Sequence, residues 1–447
     1  MITRNLVNNC LNTKYEDIPQ EVILHAKKSI LNWMGVAIGA AYHPSVEMLI
    51  SLKNDLQSSE QVSILGRREK ADLLLSTLIN GMSSHIFDYD DTHLDTIHHP
   101  SGPVAPVCFA LAEKFNLSGK QVLRAFILGV EAELRISNAV CPSHYDLGWH
   151  ITSTAGVFGA AVAAGILLEL DEEQMLNALG LAGTQAFGLR EMFGTMTKPF
   201  HPGKAAENGL LAALLAQKGF TSSKQVLEAK RGFANVTAPE HDLEQVNINW
   251  GTQWETLKNA FKPYACGIVL HPAIDACIAL GKQVSDPSQV KEIEISVNPY
   301  VLELTAKPEP KTGLEGKFSI FHTGAMAFLE GDASEEQYQD AKVLDPKTLA
   351  FRTKIKPVVN ESFEEDEALA KLTTVDGKVY EYKVEHATGS IENPMTDEAL
   401  CNKFRKVVKG ILGSDSTEAI IAKLYDLDSV ANINEVIPYC TPQTATV

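Results

Sequence analysis

A chain of 447 residues exceeds what one ordinary hydrophobic core serves, so two domains are the expectation. With 45% hydrophobic and 21% charged residues, it has the composition of a globular protein with a large apolar interior. Its 39 basic and 56 acidic residues give a formal charge of −17, which argues against nucleic acid or an anionic membrane as a partner. A small anion remains open as a ligand, provided that its cleft is locally cationic.

Seven cysteines (Cys10, Cys108, Cys141, Cys266, Cys277, Cys401 and Cys440) are scattered without a CxxC pair, the usage of reduced thiols in a cytoplasmic protein. Residues 1–21 lack the cationic-then-apolar pattern of a secretory signal. The apolar runs 30–41 and 155–168 fall short of a membrane span and are rich in Gly and Ala, so they are expected to be buried helices.

In chain order, helical period and punctuation dominate as far as residue 265. Helices are predicted over 18–41, 71–85 and 103–115, the last opening on a proline. Ser118 is expected to cap the next helix, whose apolar face carries Val122, Ala125, Phe126, Gly129 and Val130. Residues 154–168 follow with a seam of small residues, and Asp171 with Gln174 resembles a capping box. Helices over 205–219 and 222–230 continue the pattern. After a last helix at 272–283, Ile293, Ile295 and Val297 alternate with polar residues as a strand does. Strands at 368–374 and 378–384 flank Asp376-Gly377, a dipeptide suited to a two-residue hairpin turn. Residues 301–317, with Pro308, Pro310, Gly313 and Gly316, read as a loop. The expected fold is mainly α: a large all-helical domain over 1–267, a smaller α+β domain over 268–394, and helices over 395–447 returning to the first.

Residues 87–102 hold four aspartates and three histidines between two apolar segments. Carboxylates and imidazoles this close shift one another's pKa values and can divide general acid and general base roles. An acidic surface loop would have the same composition, and a metal site the same residue types. Adjacent residues such as His98 and His99 rarely share a metal, so none is expected. A second polar cluster runs from His144 to Thr154 and contains His150. A third runs from Arg190 to Lys204, where Lys198 and His201 precede an apolar helix as candidate anion anchors, or as an ordinary solvated surface. Lys262, Cys266 and His271 lie at the inferred domain junction, with Cys266 read as buried filler ahead of nucleophile. There is no P-loop, GxSxG elbow or HExxH.

Asp88-Tyr89-Asp90-Asp91-Thr92, His99-Pro100-Ser101-Gly102, Gly148-Trp149-His150 and Thr197-Lys198-Pro199-Phe200-His201-Pro202-Gly203-Lys204 resemble the MmgE/PrpD family. The resemblance extends to Gly316-Lys317-Phe318-Ser319 and to residues 389–394, and so spans almost the whole chain. It implies a homodimer with a helical domain and an α+β lid, acting on small di- or tricarboxylates without metal or organic cofactor. Dehydration of 2-methylcitrate, decarboxylation of cis-aconitate and epimerisation of iminodisuccinate are the family's chemistries, and the motif wording is closest to the decarboxylases. By motif, Asp88, Thr92, His99, His150 and Lys198 match the catalytic positions. The stretch from Thr92 to His99 is one residue longer than in the decarboxylases, so His98 competes for the role of His99. A lid tyrosine of those enzymes falls at Leu304, with Tyr300 close by. His98, His201, Lys262, His271 and Tyr300 are the expected substrate-binding residues.

All three chemistries place carbanion or enolate character on a polyanion, which fixed cations, hydrogen-bond donors and a placed proton donor must offset. Lys198, His150 and Thr92 are expected to hold carboxylates, His99 to move the proton, and Asp88 to orient an imidazole. The readings from other classes are a metal-dependent hydrolase and a non-catalytic binding protein.

Overall fold

The computed structural model describes residues 1–442, and its fold is mainly α. It contains two compact units. The larger takes residues 1–86, 90–259 and 400 onward; the smaller takes 87–89 and 260–399.

In the larger unit every residue of the helix Gly156–Leu167 is buried. Its sequence is apolar all round, which leaves it no solvent face and makes it the centre about which other helices pack. Gly119–Val140, Thr197–Gln217 and Ser101–Phe115 lie against it. Its small residues allow that approach: a Cβ on Gly159 would come within 2.8 Å of the Gly129 carbonyl oxygen. The helices begin where local chemistry demands. Ser118 and Asp171 each form a capping box, with Gln121 and Gln174 respectively, and Asp72 accepts from the Leu74 and Leu75 amides to start Leu73–Ser83.

Several sequence expectations are corrected. Pro44 opens a further helix, Pro44–Asp55, between those expected at 18–41 and 71–85, because His43 accepts the Ser45 amide as its N-cap. Residues 222–230 form turns and no helix: Asn177 takes the Ser222 amide and Ser223 takes the Gln225 amide, so side chains compete for the groups that a helix would pair. The helix expected at 205–219 starts eight residues earlier, as Thr197–Gln217. Pro199 sits in the first turn, where no N–H bond is lost, and Pro202 removes one further on. Lys198 and His201 therefore lie within this helix rather than ahead of it.

The smaller unit holds a four-stranded sheet in the order Ile355–Val359, Val290–Val297, Ala368–Thr374, Val379–Val384. The first pair is parallel and the others antiparallel. Ile293, Ile295 and Val297 are buried as their alternation predicts, and the helices His271–Gln283 and Ile320–Glu330 pack on the sheet. His271–Gln283 is not the last helix, since Pro299–Thr305, Ile320–Glu330 and Pro346–Arg352 follow. Pro299–Thr305 also replaces part of the expected 301–317 loop, started by Asn298, which accepts the Tyr300 amide. The hairpin loop has three residues, not two. Thr374 accepts the Gly377 amide and donates its own to Lys378, and only Gly377 has positive φ, at 87°.

Candidate active site

The helix Leu73–Ser83 ends at Ser84 and hands the chain to His85, from which residues 90–100 loop to the start of Ser101–Phe115. His85 Nδ1 lies 2.6 Å from Asp90 Oδ2, and both side chains are fully buried. The other Asp90 oxygen is 3.6 Å from His99 Nδ1. His99 Nδ1 is 3.0 Å from the Asp91 carbonyl oxygen and 3.2 Å from Thr92 Oγ1. A carbonyl only accepts, so His99 Nδ1 carries the proton and Nε2 is the nitrogen whose protonation can change. The His85 and His99 rings meet edge to face with centroids 4.6 Å apart.

From the opposite side, His150 precedes the short helix Ile151–Thr154, and His201 and Lys198 project from Thr197–Gln217. His150 stacks on His85 at 6.0 Å, and its Nδ1 is 2.8 Å from His201 Nδ1. One proton serves that contact; two would repel. Burial pushes the His150 imidazole well below its ordinary pKa, with the neighbouring His85 and Lys198 adding to the effect. Burial likewise brings His201 down to about 4. Both rings are thus neutral near pH 7. Phe193 closes this side, its ring edge on to His150 and 5.2 Å below the Lys198 ammonium.

The structure therefore brings together Thr92, His99, His150, Lys198 and His201, which the sequence singles out, and adds His85 and Asp90, to which it gave no roles. His85 was visible only as the end of a predicted helix, and a histidine leaving an apolar helix just before an Asp/His cluster is the signal that could have found it. The adjacent His98 and His99 are separated. His98 is fully buried against Gly119–Val140, with Nδ1 2.8 Å from Ser137 Oγ and Nε2 3.6 Å from Glu133 Oε1. Within the smaller unit, Asp88 pairs with Lys262 at 3.0 Å; within the larger, the carboxylate bonded to His85 is Asp90. His271 packs edge on to Tyr264, with ring centroids 5.3 Å apart. Tyr300 and Leu304 are one turn apart on Pro299–Thr305. Burial pushes the Cys266 thiol up to about 12, the opposite of an activated nucleophile.

Asp91 supports the loop from behind. Its Oδ2 accepts from Ser101 Oγ and from Asn259 Nδ2, each at 2.5 Å. Burial, reinforced by Asp90, raises its carboxyl from 3.8 to about 6. A folded-state pKa above the unfolded one means that the native state holds the proton more tightly. This contribution to stability is complete below about pH 4 and is lost as pH rises through 6. Asp91→Asn, which stays neutral, is expected to gain about 2 kcal/mol over the parent between pH 4 and pH 8. Urea unfolding at both pH values checks this, and a difference independent of pH would contradict it.

Among the described residues, three groups of side chains have the spacing of a cation site, one of them Asp366, His386 and Glu392 in the smaller unit. One nitrogen each of His85 and His99 and an oxygen of Asp90 lie within 4.8 Å of one another, with His85 Nδ1 and Asp90 already bonded to each other. His93, Asp95 and Glu255 are equally close. There the Lys258 ammonium sits 3.1 Å from Asp95 and 3.0 Å from Glu255 and supplies the positive charge itself.

Comparison with known proteins gives the chemistry a family. Residues 4–246 match the MmgE/PrpD N-terminal domain and residues 264–427 the MmgE/PrpD C-terminal domain. The chain belongs to the MmgE/PrpD family. Among MmgE/PrpD relatives, the cis-aconitate decarboxylase of Aspergillus terreus is 26% identical, over 98% of this chain and 95% of its own. The cis-aconitate decarboxylase of Mus musculus is 26% identical over 98% and 93%, and that of Homo sapiens 25% over 96% and 92%. His85, Asp90, Thr92, His99, His150, Lys198 and His201 all fall within the MmgE/PrpD N-terminal match. Among the described residues, no helix is long and apolar enough to cross a membrane.

Proposed function

We propose that this protein is a cytoplasmic, homodimeric lyase that acts on a small di- or tricarboxylate by proton transfer next to a carboxylate. It uses neither metal nor organic cofactor, and cis-aconitate, decarboxylated, is the first substrate to test. The observation that carries this reading is the convergence of four imidazoles and the Lys198 ammonium in a protein of net charge −17. Neutral imidazoles can accept or deliver a proton near pH 7, and a fixed cation offsets the charge that builds on a substrate already anionic. His99 moves the proton through Nε2, Thr92 and the Asp91 carbonyl hold its tautomer, and Lys198 with His150 and His201 receives carboxylates. None of these roles depends on Asp88, His98, Lys262, His271 or Tyr300. A hydro-lyase acting on 2-methylcitrate and an epimerase acting on iminodisuccinate make the same demands on the site and are the alternatives.

Incubation with cis-aconitate, 2-methylcitrate, citrate and iminodisuccinate in deuterated water, followed by proton NMR, reports product and proton exchange together. Turnover of one compound with solvent deuterium entering at carbon is expected. Lys198→Ala should raise KM for that compound about tenfold, the loss of one charge-assisted hydrogen bond. Neither turnover nor exchange with any of the four would end this reading.

A further inference from the structure

Two buried histidines that serve the fold of the larger unit use both ring nitrogens, and a third, His98, turns the nitrogen that lacks a hydrogen-bond partner toward Glu133 at 3.6 Å. His144 places Nε2 2.7 Å from Thr154 Oγ1 and Nδ1 3.1 Å from the Thr237 carbonyl. His93 places Nδ1 2.8 Å from Thr96 Oγ1 and Nε2 3.3 Å from Glu255. His85 differs. Its Nδ1 is held by Asp90, while its buried Nε2 has no hydrogen-bond partner among the described residues. A buried polar atom left without a partner is costly and asks for a reason. The ring carrying it lies between His99 and His150, in the middle of the proposed site.

We propose that His85 is a substrate-contacting residue: Nε2 takes up one proton from solution as a polycarboxylate binds, and donates it in a hydrogen bond to one of the ligand's carboxylates. This rests on the reading of the site as one for di- or tricarboxylates. Asp90 makes it workable. With Nδ1–H donated to Asp90, neutral His85 presents a lone pair at Nε2. Protonation there leaves an imidazolium between two carboxylates, Asp90 on one side and the ligand on the other. One proton enters per ligand bound, no covalent bond changes, and the charge brought in by one ligand carboxylate is neutralised inside the site. Within the larger unit, ionisable groups that face His85 include His99, His150 and His201. Lys198 acts on the last two, so the ammonium and the His85 imidazolium divide the ligand's carboxylates between them.

Citrate is the probe. Isothermal titration of the full chain at pH 7.5, in buffers of differing ionisation enthalpy, gives affinity and protons taken up without requiring turnover. The parent should bind citrate with net proton uptake. His85→Gln should bind at least about tenfold more weakly and lose about half a proton or more of that uptake, the cost of one charge-assisted hydrogen bond. The parent labelled with 15N-histidine supplies a reading that needs no folded His85 variant. One imidazole should pass from the Nδ1–H tautomer to the doubly protonated form on adding citrate, and it is assigned by its shift in Asp90→Asn. Equal affinity and proton uptake in His85→Gln, or an imidazole spectrum indifferent to citrate, overturns the inference. A parent that turns over one of the four carboxylates while His85→Gln binds citrate normally fails this inference alone. A parent that neither binds citrate nor turns over any of them fails the functional reading with it.

Discussion

His99→Gln is expected to lower kcat by about 10²–10⁴, the range for removing a placed general acid or base, while KM changes little. The proton to be moved resides on Nε2, because Nδ1 is committed to the Asp91 carbonyl, and glutamine has no atom there that titrates. The fold should survive. The backbone at residue 99 is anchored independently through its amide to Thr152 Oγ1 at 3.1 Å, and an amide side chain can still donate toward residue 91. The neighbouring position gives the contrast. His98 bonds Ser137 in the helical core, so His98→Gln should lower the melting temperature and leave kcat close to the parent's. Steady-state kinetics with thermal unfolding of both variants decides. Loss of kcat at 98 instead of 99 would mean that the proton donor sits one residue earlier.

That contrast also shows where sequence reasoning stops. Capping boxes at Ser118 and Asp171 and the alternation of Ile293, Ile295 and Val297 are local, and each fixes its own element within a few residues. The motifs around Thr92, His99, His150 and Lys198 named residues far apart in the chain that the structure brings together. The partners of His85 and His98 were out of reach, since they depend on the path of a loop with no period. Asp88 and Ile97 adopt positive φ, 52° and 55°, uncommon for any side chain and costly for a β-branched one. The turn at Ile97 joins the short pairing of His93 with His98, which sends His98 into the core and leaves His99 beside Asp90. No spacing rule expresses this. The same limit explains Thr197–Gln217: its prolines argue for a loop, and packing against Leu73–Ser83 and Gly156–Leu167, distant in sequence, carries the helix past Pro202.

The crossing leads to the second large effect. Gly203→Ala is expected to destabilise the protein by about 1–3 kcal/mol and to reduce turnover by up to about 10², a loss that persists at temperatures where the variant is fully folded. A Cβ on Gly203 would lie 2.4 Å from the Leu78 carbonyl oxygen and 2.6 Å from the Met82 amide nitrogen, both backbone atoms that no side-chain rotation can move aside. From the other helix, a Cβ on Gly81 would meet the Gly203 Cα at 2.7 Å, so the two backbones touch and nothing spare lies between them. The helix with Gly203 carries Lys198 and His201; the helix with Gly81 leads to His85. An added methyl must push these helices apart, and the carboxylate-binding side chains move with one while the imidazole on Asp90 moves with the other. Proton transfer and charge stabilisation depend on distance over tenths of an ångström, whereas the hydrophobic core yields more gradually, so activity should fall further than stability. Ala205→Gly, two residues along the same helix, controls for a general loss of helix stability, which should cost about 1 kcal/mol without a comparable loss of turnover. Equal fractional losses of activity and of folded protein in Gly203→Ala would show that the crossing serves the fold alone.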